Sequence, residues 1–412
     1  MKILTYLVLM MSMALAHITP ACSQTIKRGI ATTQLFEEDL SIMKHRISWW
    51  YNWSSEPTYI KDRAPSNQGV EFVPMALNGD FNEAWLRNYL DGHPSVQYLL
   101  GFNEPNFVDQ ANLTPQQGAD LWPRLETIAS DYGLQLVSPA VNYSPGDVDI
   151  PNTDDDGNPF EYLDAFFEAC SDCQVDYIAV HAYMADPDAL KQYINHFYQR
   201  YGKPIWITEW NFDAPGQTET LEQQMDYMAD IVRWMDNSQQ VFRYAWFVGR
   251  STHSSSAWPY VDLLDAPGYW STLGKLYQGI QHHDDYTLLP SVLQAEYARS
   301  LRGFKHRVSS TGPVVETQLF SDIQATKKQL TFQINTEHSE DYSLLFSYSG
   351  KEYSEITVSV DGEQKMTIPL WATGSSYYWT QRQSRLFLPA GLHSLSIDVT
   401  VGNPNFDWFT LY

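Results

Sequence analysis

A chain of 412 residues exceeds one ordinary domain, and even a closed barrel of about 250 residues leaves room for a second unit. Its 43% hydrophobic and 18% charged residues are those of a globular protein, and a formal net charge of −23 excludes nucleic acid and anionic membranes, which need clustered Lys and Arg. The 14 Trp, 26 Tyr and 19 Phe partly fill cores and rims, but their excess in an acidic chain points to a neutral partner such as sugar, whose C–H faces stack on aromatic rings.

Met1-Lys2 followed by an apolar run over 3–16 reads as a secretory signal peptide, placed at 1–23. The mature chain is therefore expected outside the cytoplasm. Small residues fit cleavage after Ala16, Ala21 or Ser23; a lipidated Cys22 is the alternative, although Thr19-Pro20-Ala21 is a poor lipobox, so secreted, periplasmic and lipid-anchored forms all stay open. No later apolar run is long enough to span a bilayer. Without the leader, Cys170 and Cys173 are the remaining thiols. In an oxidising compartment their simplest reading is a short-loop disulfide; a zinc site needs two further ligands, and a redox pair needs a thioredoxin-like setting.

From 27 to 280 short apolar runs alternate with helical patterns. Strands are expected at 28–31, 47–53, 70–76, 98–102, 134–139, 177–181, 205–209 and 242–247, and helices at 35–44, 82–90, 115–130, 160–169, 187–201, 218–235 and 270–280. Only the Ser-, Pro- and Asn-rich segment after Trp53 lacks a helix. Eight strands, apolar nearly throughout, predict an α/β fold with a closed (β/α)8 TIM barrel over 24–284. An open doubly wound sheet is disfavoured because no glycine-rich phosphate loop follows the first strand.

Two of these strands end in acids. Leu99-Leu100-Gly101-Phe102-Asn103-Glu104-Pro105 runs from an apolar strand into a proline that cannot continue the ladder, which puts Asn103 and Glu104 at the C-terminal rim. Ile205-Trp206-Ile207-Thr208-Glu209-Trp210-Asn211 does the same for Glu209. Paired carboxylates at strand ends suit glycoside hydrolysis, with one group as acid/base and the other as nucleophile or base. His181 and Tyr183 fall where strand six ends, placed to orient Glu209 or touch substrate. Asn52, Trp53, Trp210 and Trp246 lie at strand ends and are candidates for the sugar platform. The loop from Asn152 to Gly157 begins like a calcium loop, but Leu163 stands where a bidentate acid is needed, so a solvated acidic loop is expected.

The set Gly101-Phe102-Asn103-Glu104-Pro105, Ser138-Pro139-Ala140, His181-Ala182-Tyr183, Trp206-Ile207-Thr208-Glu209-Trp210-Asn211 and Arg243-Tyr244-Ala245-Trp246-Phe247 resembles glycoside hydrolase family 128, the (β/α)8 β-1,3-glucanases of clan A. Trp50-Tyr51-Asn52-Trp53 and Phe72-Val73-Pro74-Met75 also match. The resemblance implies Glu104 as acid/base, Glu209 as nucleophile, Asn103 on the sugar 2-hydroxyl, and retention of anomeric configuration, which needs carboxyls about 5 to 5.5 Å apart.

After His282-His283-Asp284-Asp285 the periodicity changes. Strands at 330–335, 342–348, 356–360, 384–388, 393–399 and 406–411, with turns at Ser349-Gly350, Asp361-Gly362 and Ala390-Gly391, predict a smaller all-β sandwich over 285–412. Gln294-Ala295-Glu296-Tyr297, the segment 374–380, Leu388-Pro389-Ala390-Gly391-Leu392-His393 and Asn405-Phe406-Asp407-Trp408-Phe409 are similar to carbohydrate-binding module family 6. That resemblance implies Trp379 and Asn405 as sugar contacts and Glu296 and Asp407 as holders of a structural calcium; Tyr297, Phe304, Trp371 and Tyr378 all compete for the second sugar-facing aromatic. The expected protein is a secreted, monomeric, retaining endo-β-1,3-glucanase that needs no cofactor for catalysis and whose partner is β-1,3-glucan. A non-catalytic glycan-binding protein and a glycosidase for another β-linked polysaccharide are the alternatives.

Overall fold

The computed structural model describes residues 27–33, 35–44, 46–57, 69–251, 260–282, 285–309, 312–317 and 328–412. The leader and Cys22 lie outside them, as does most of the segment after Trp53. Strands β1 (Arg28–Ala31), β2 (Trp49–Tyr51), β3 (Glu71–Phe72), β4 (Tyr98–Leu100), β5 (Gln135–Val141), β6 (Tyr177–Tyr183), β7 (Ile205–Asn211) and β8 (Val241–Phe247) form one parallel sheet in the order β3-β2-β1-β8-β7-β6-β5-β4. A parallel bridge between Met75 and Leu100 joins its two ends and closes the barrel. Helices α1 (Glu37–Met43), α2 (Glu83–Gly92), α3 (Pro115–Tyr132), α4 (Pro159–Ala169), α5 (Pro187–Tyr201), α6 (Leu221–Asn237) and α7 (Thr272–Gly279) wrap it.

Local chemistry sets these helices. Thr114 and Thr220 open α3 and α6 with capping boxes to Gln117 and Gln223, and Asn82, Asn158, Asp186 and Ser271 cap others through their side chains. Gly133 and Gly202 close α3 and α5 in the left-handed conformation. Cys170 and Cys173, just past α4, are joined as a disulfide with Cα atoms 5.3 Å apart.

Two apolar layers result from the strand alternation. Ile30, Trp50, Leu99, Ile178, Val180, Ile207, Trp210, Tyr244 and Trp246 face the helices. Trp49, Tyr51, Tyr98, Leu100, Tyr177, Ala179, Trp206 and Ala245 fill the barrel interior. Arg243 enters this inner layer with its guanidinium carbon 4.7 Å from the Tyr98 ring centre and 5.0 Å from that of Trp206, and it pairs with Glu71 at 2.7 Å. Cation–π contact and the ion pair offset the cost of burying its charge.

The ladder between β6 and β7 breaks register once. Val180 pairs with Ile207 but His181 pairs with Glu209, so β7 carries one extra residue, Thr208. This β-bulge shifts the side-chain alternation by one. Without it, Trp206 inside would imply Trp210 inside; with it, Glu209 faces in and Trp210 faces out.

The rest of the described chain is a two-layer sandwich, antiparallel but for the parallel pairing of 287–288 with 328–336. One sheet has strands 304–309, 312–317, 405–411, 340–350 and 375–388 in that order, with 291–294 beside 405–411; the other has 300–302, 328–336, 391–401, 354–360 and 363–370, with 287–288 beside 328–336. Its core, with Leu330, Phe332, Leu344, Phe346, Ile356, Ile397, Phe406 and Phe409, is separate from the barrel's.

Candidate active site

Glu104 stands just past β4 with φ +40°, a backbone state that non-glycine residues rarely adopt. Its amide donates to the Ala140 carbonyl at 2.9 Å, which ties the turn to β5. Its carboxylate Oε1 meets His181 Nδ1 at 2.8 Å and accepts from Asn142 Nδ2 at 3.4 Å. Asn103, buried beside it, donates to Gln110 Oε1 at 3.2 Å.

Glu209 is buried opposite. Trp53 Nε1 donates to its Oε1 at 2.7 Å and Tyr51 donates to the same oxygen at 3.2 Å, while the Tyr183 hydroxyl donates to Oε2. His181, itself fully buried, also reaches Glu209 Oε1 with Nε2 at 3.5 Å. One imidazole thus lies between both carboxylates, and oxygen atoms of Glu104 and Glu209 lie within 4.8 Å of each other.

The electrostatics follow from burial and proximity. Desolvation raises the Glu209 pKa, and the Glu104 charge adds to that, while His181 and the donors from Tyr183 and Trp53 act against it. For His181, burial alone would lower the pKa, but the Glu209 and Glu104 carboxylates overcome it and raise it above 6.5. Burial and the Glu209 charge push Tyr51 and Tyr183 well above 10.0. Both phenols therefore remain hydrogen-bond donors across ordinary working pH.

Of the sequence-derived candidates, Glu104, Glu209, His181, Tyr183 and Trp53 meet in one hydrogen-bonded cluster, and Asn103 precedes Glu104 in the chain with its side chain bonded to Gln110. Asn52, also buried, donates to the Glu56 carbonyl at 3.3 Å. Trp210 and Trp246 do not face the pocket, which corrects the expectation of a sugar platform there. Both are fully buried under the helices, edge-to-face with ring centres 4.7 Å apart, and Trp246 Nε1 donates to the Val261 carbonyl. Sequence reasoning missed Tyr51 and Phe247. The Phe247 ring lies 5.8 Å from both Trp53 and Tyr183 and so walls the site, and strand alternation around Trp53 and Ala245 is the signal that points to both residues.

In the sandwich, Trp379 is half-buried, and Asn405 is 5% exposed and donates to Ser349 Oγ at 3.3 Å. Ser349 in turn donates to the Ser376 carbonyl, so the start of strand 375–388 lies close over this pair. Glu296 is buried with Oε2 lacking any hydrogen-bond partner, and burial pushes its pKa up to about 8, with the Asp407 charge adding to the effect. Asp407 is itself raised by burial.

A closed barrel with two carboxylates facing each other at its C-terminal rim defines a glycoside hydrolase of the barrel class. Residues 29–277 match the model of the glycosyl hydrolase catalytic core. The chain is 38% identical to a subgroup II endo-beta-1,3-glucanase of glycoside hydrolase family 128 from Pseudomonas viridiflava, with TM-score 0.56, over 63% of this chain and 100% of that one. A subgroup I endo-beta-1,3-glucanase from Amycolatopsis mediterranei, solved with laminarihexaose, is 26% identical with TM-score 0.50, over 61% and 98% of the two chains. Alkali-sensitive linkage protein 1 of Schizosaccharomyces pombe is 28% identical over 262 residues, and the match spans 61% of this chain but only 44% of that relative. The chain belongs to glycoside hydrolase family 128, a family of β-1,3-glucanases.

Proposed function

We propose that the protein is a secreted, retaining endo-β-1,3-glucanase in which Glu209 is the nucleophile and Glu104 the acid/base. The observation that carries this reading is the approach of the two carboxylates to within 4.8 Å, since an inverting site needs room for a water and a separation of about 6.5–9.5 Å. Glu209 attacks C1 of the sugar while Glu104 donates its proton to the departing glycosidic oxygen. A glycosyl ester forms on Glu209. Glu104, now a base, takes a proton from water, whose oxygen attacks C1 from the face the leaving group vacated, and the anomeric configuration is retained. Donors from Tyr51, Trp53 and Tyr183 fix both oxygens of Glu209 and offset the burial of its charge. Asn103 is assigned to the 2-hydroxyl.

Endo action on β-1,3-glucan is supported by the relatives from Pseudomonas viridiflava and Amycolatopsis mediterranei. Secretion is supported by the apolar run at 3–16. The sandwich is assigned to glycan binding, which concentrates enzyme on polymer without altering its chemistry. Glu296 and Asp407 fit a calcium ion that steadies that module: an orphaned buried oxygen and a second carboxylate supply hard ligands, two of the six to eight oxygens that calcium takes.

The test is release of reducing ends from soluble β-1,3-glucan by wild type, Glu104→Gln and Glu209→Gln, with β-1,4-glucan, xylan and mannan in parallel. The expected outcome is activity confined to β-1,3-glucan, a spread of oligosaccharide sizes, and loss of at least about a thousandfold in each variant with folding intact. Turnover of Glu209→Gln at the wild-type rate, or a preference for another linkage, refutes the assignment.

A further inference from the structure

A cavity of about 430 Å³ lies where the barrel meets the sandwich, between α6 and strand 304–309. Its size falls in the range of about 300–1,000 Å³ in which proteins hold small molecules, and domain boundaries are a favoured place for such sites. Ala185, just past β6, and Phe212, just past β7, bring it to the C-terminal rim of the barrel. Helical spacing puts Asp226, Tyr227, Asp230 and Arg233 on the face of α6 that lines it.

Two polar groups in its wall are buried without a protein partner. Tyr227 is 3% exposed, and its hydroxyl finds no hydrogen-bond partner among the described residues. His306 is 2% exposed; its amide and Nδ1 meet Asp226 Oδ1 at 2.7 and 2.8 Å, while Nε2 finds no partner among the same residues. With Nδ1 donating to the carboxylate, the neutral ring carries its lone pair on Nε2. A donor and an acceptor therefore border a space of ligand size, although buried groups of this kind are normally satisfied.

The charges in the wall are matched from within. Asp226 serves His306, Asp230 pairs with Lys191 at 2.9 Å, Lys305 pairs with Glu316 at 3.1 Å, and Arg233 donates to the carbonyls of Ala229, Ala298 and Glu296. An ion would have to break one of these pairs, so a neutral ligand fits better. Phe212 and Tyr227 stand edge-to-face with ring centres 5.7 Å apart, and Phe304 joins them from the sandwich. Sugars meet both demands, with C–H faces for the rings and hydroxyls that donate and accept.

We infer that this cavity is a saccharide-binding site shared by the two domains, which takes a short β-1,3-gluco-oligosaccharide. Tyr227 donates to one hydroxyl of the sugar and His306 Nε2 accepts from another. The inference rests on the β-1,3-glucanase reading of the barrel, which names the sugar. The site is separate from the catalytic cluster inside the barrel and from Trp379 and Asn405, which are not among its lining residues. Because both domains supply its walls, an occupant stabilises their junction.

Lys305→Cys places a thiol at the exposed edge of the cavity. Its alkylation is followed by peptide mass spectrometry in a Glu209→Gln background, with laminaritriose as probe and glycerol as control. Laminaritriose is expected to slow alkylation, and adding Tyr227→Phe, which removes one oxygen and keeps the ring, to weaken its apparent affinity about tenfold. With Glu209 intact, wild type and Tyr227→Phe are expected to hydrolyse soluble β-1,3-glucan at rates within about twofold of each other. If wild type hydrolyses the glucan yet the trisaccharide leaves alkylation unchanged, or protects equally with Tyr227→Phe present, the inference falls and the reading of the barrel stands. Equal protection by glycerol identifies a cleft without preference for sugar and also overturns the site. If wild type leaves β-1,3-glucan intact and the trisaccharide gives no protection, the reading fails and takes the inference with it.

Discussion

At the scale of single residues, the site is organised by what a buried carboxylate requires. Glu209 accepts from Tyr183, Tyr51 and Trp53 and lies beside His181. Removing one charge-assisted donor typically costs about 1.5–3 kcal/mol, so Tyr183→Phe is expected to lower kcat roughly 10- to 100-fold with little change in KM, read from initial rates on a soluble glucan. The pH dependence of stability follows from His181. Its pKa is raised above 6.5 in the folded protein, so it contributes stability that is present in full below 6.5 and lost as pH rises through the higher folded value. Glu209, raised above 4.5, acts in the same direction, its contribution fading as pH rises. The melting temperature of wild type is therefore expected to fall more steeply above pH 6.5 than that of His181→Asn; parallel curves would mean that His181 does not gain its proton on folding.

At the scale of elements, the bulge in β7 decides which face of the barrel receives the nucleophile. Sequence alternation alone puts Trp206, Thr208 and Trp210 on one side and Ile205, Ile207 and Glu209 on the other, so Glu209 and Trp210 could never share a pocket. The extra residue at Thr208 exchanges the two faces, turning Glu209 inward and Trp210 outward. A bulge leaves no mark in an apolar run, which is why Glu209 is readable at its strand end while the face of Trp210 is not; Trp246, on β8, faces out by plain alternation from the inward Ala245. Inserting one Ala after Thr208 is expected to turn Glu209 to the helix face and bring activity down to that of Glu209→Gln, checked by assay beside circular dichroism. Gly101 illustrates the opposite case. An added Cβ there would meet the Val137 carbonyl oxygen at 2.8 Å and the Trp122 ring at 2.9 Å, so Gly101→Ala is expected to destabilise by about 1–3 kcal/mol in urea unfolding.

At the scale of the molecule, barrel and sandwich are bolted together. Arg233 of α6 donates to the Ala298 carbonyl at 2.7 and 3.0 Å and to that of Glu296 at 3.3 Å, and burial brings its pKa down to about 10. His306 meets Asp226 Oδ1 at 2.8 Å through Nδ1, and Gln281 exchanges hydrogen bonds with the Gln333 backbone. Arg233→Ala is expected to leave buried carbonyls unpaired, at about 1–3 kcal/mol each, and to split one calorimetric transition into two. The barrel's alternation of strands and helices was plain in the sequence because each strand is a continuous apolar run. Half the sandwich was not: strands over 291–317 carry Lys305, His306 and Arg307 among apolar residues, and part of that pattern serves contact with the barrel, not a sheet interior.

The short passage between domains, from Gly279 at the end of α7 to Thr287, has a mechanical consequence. A module on a long leash lets its enzyme graze around a fixed anchor, but one clamped at Arg233 and His306 gives it a single radius. If the sandwich holds a glucan chain, the cleft can cut only at one distance from that hold. Digestion of a solid would then advance by letting go and landing again, and its pace would be set by how quickly the grip is released.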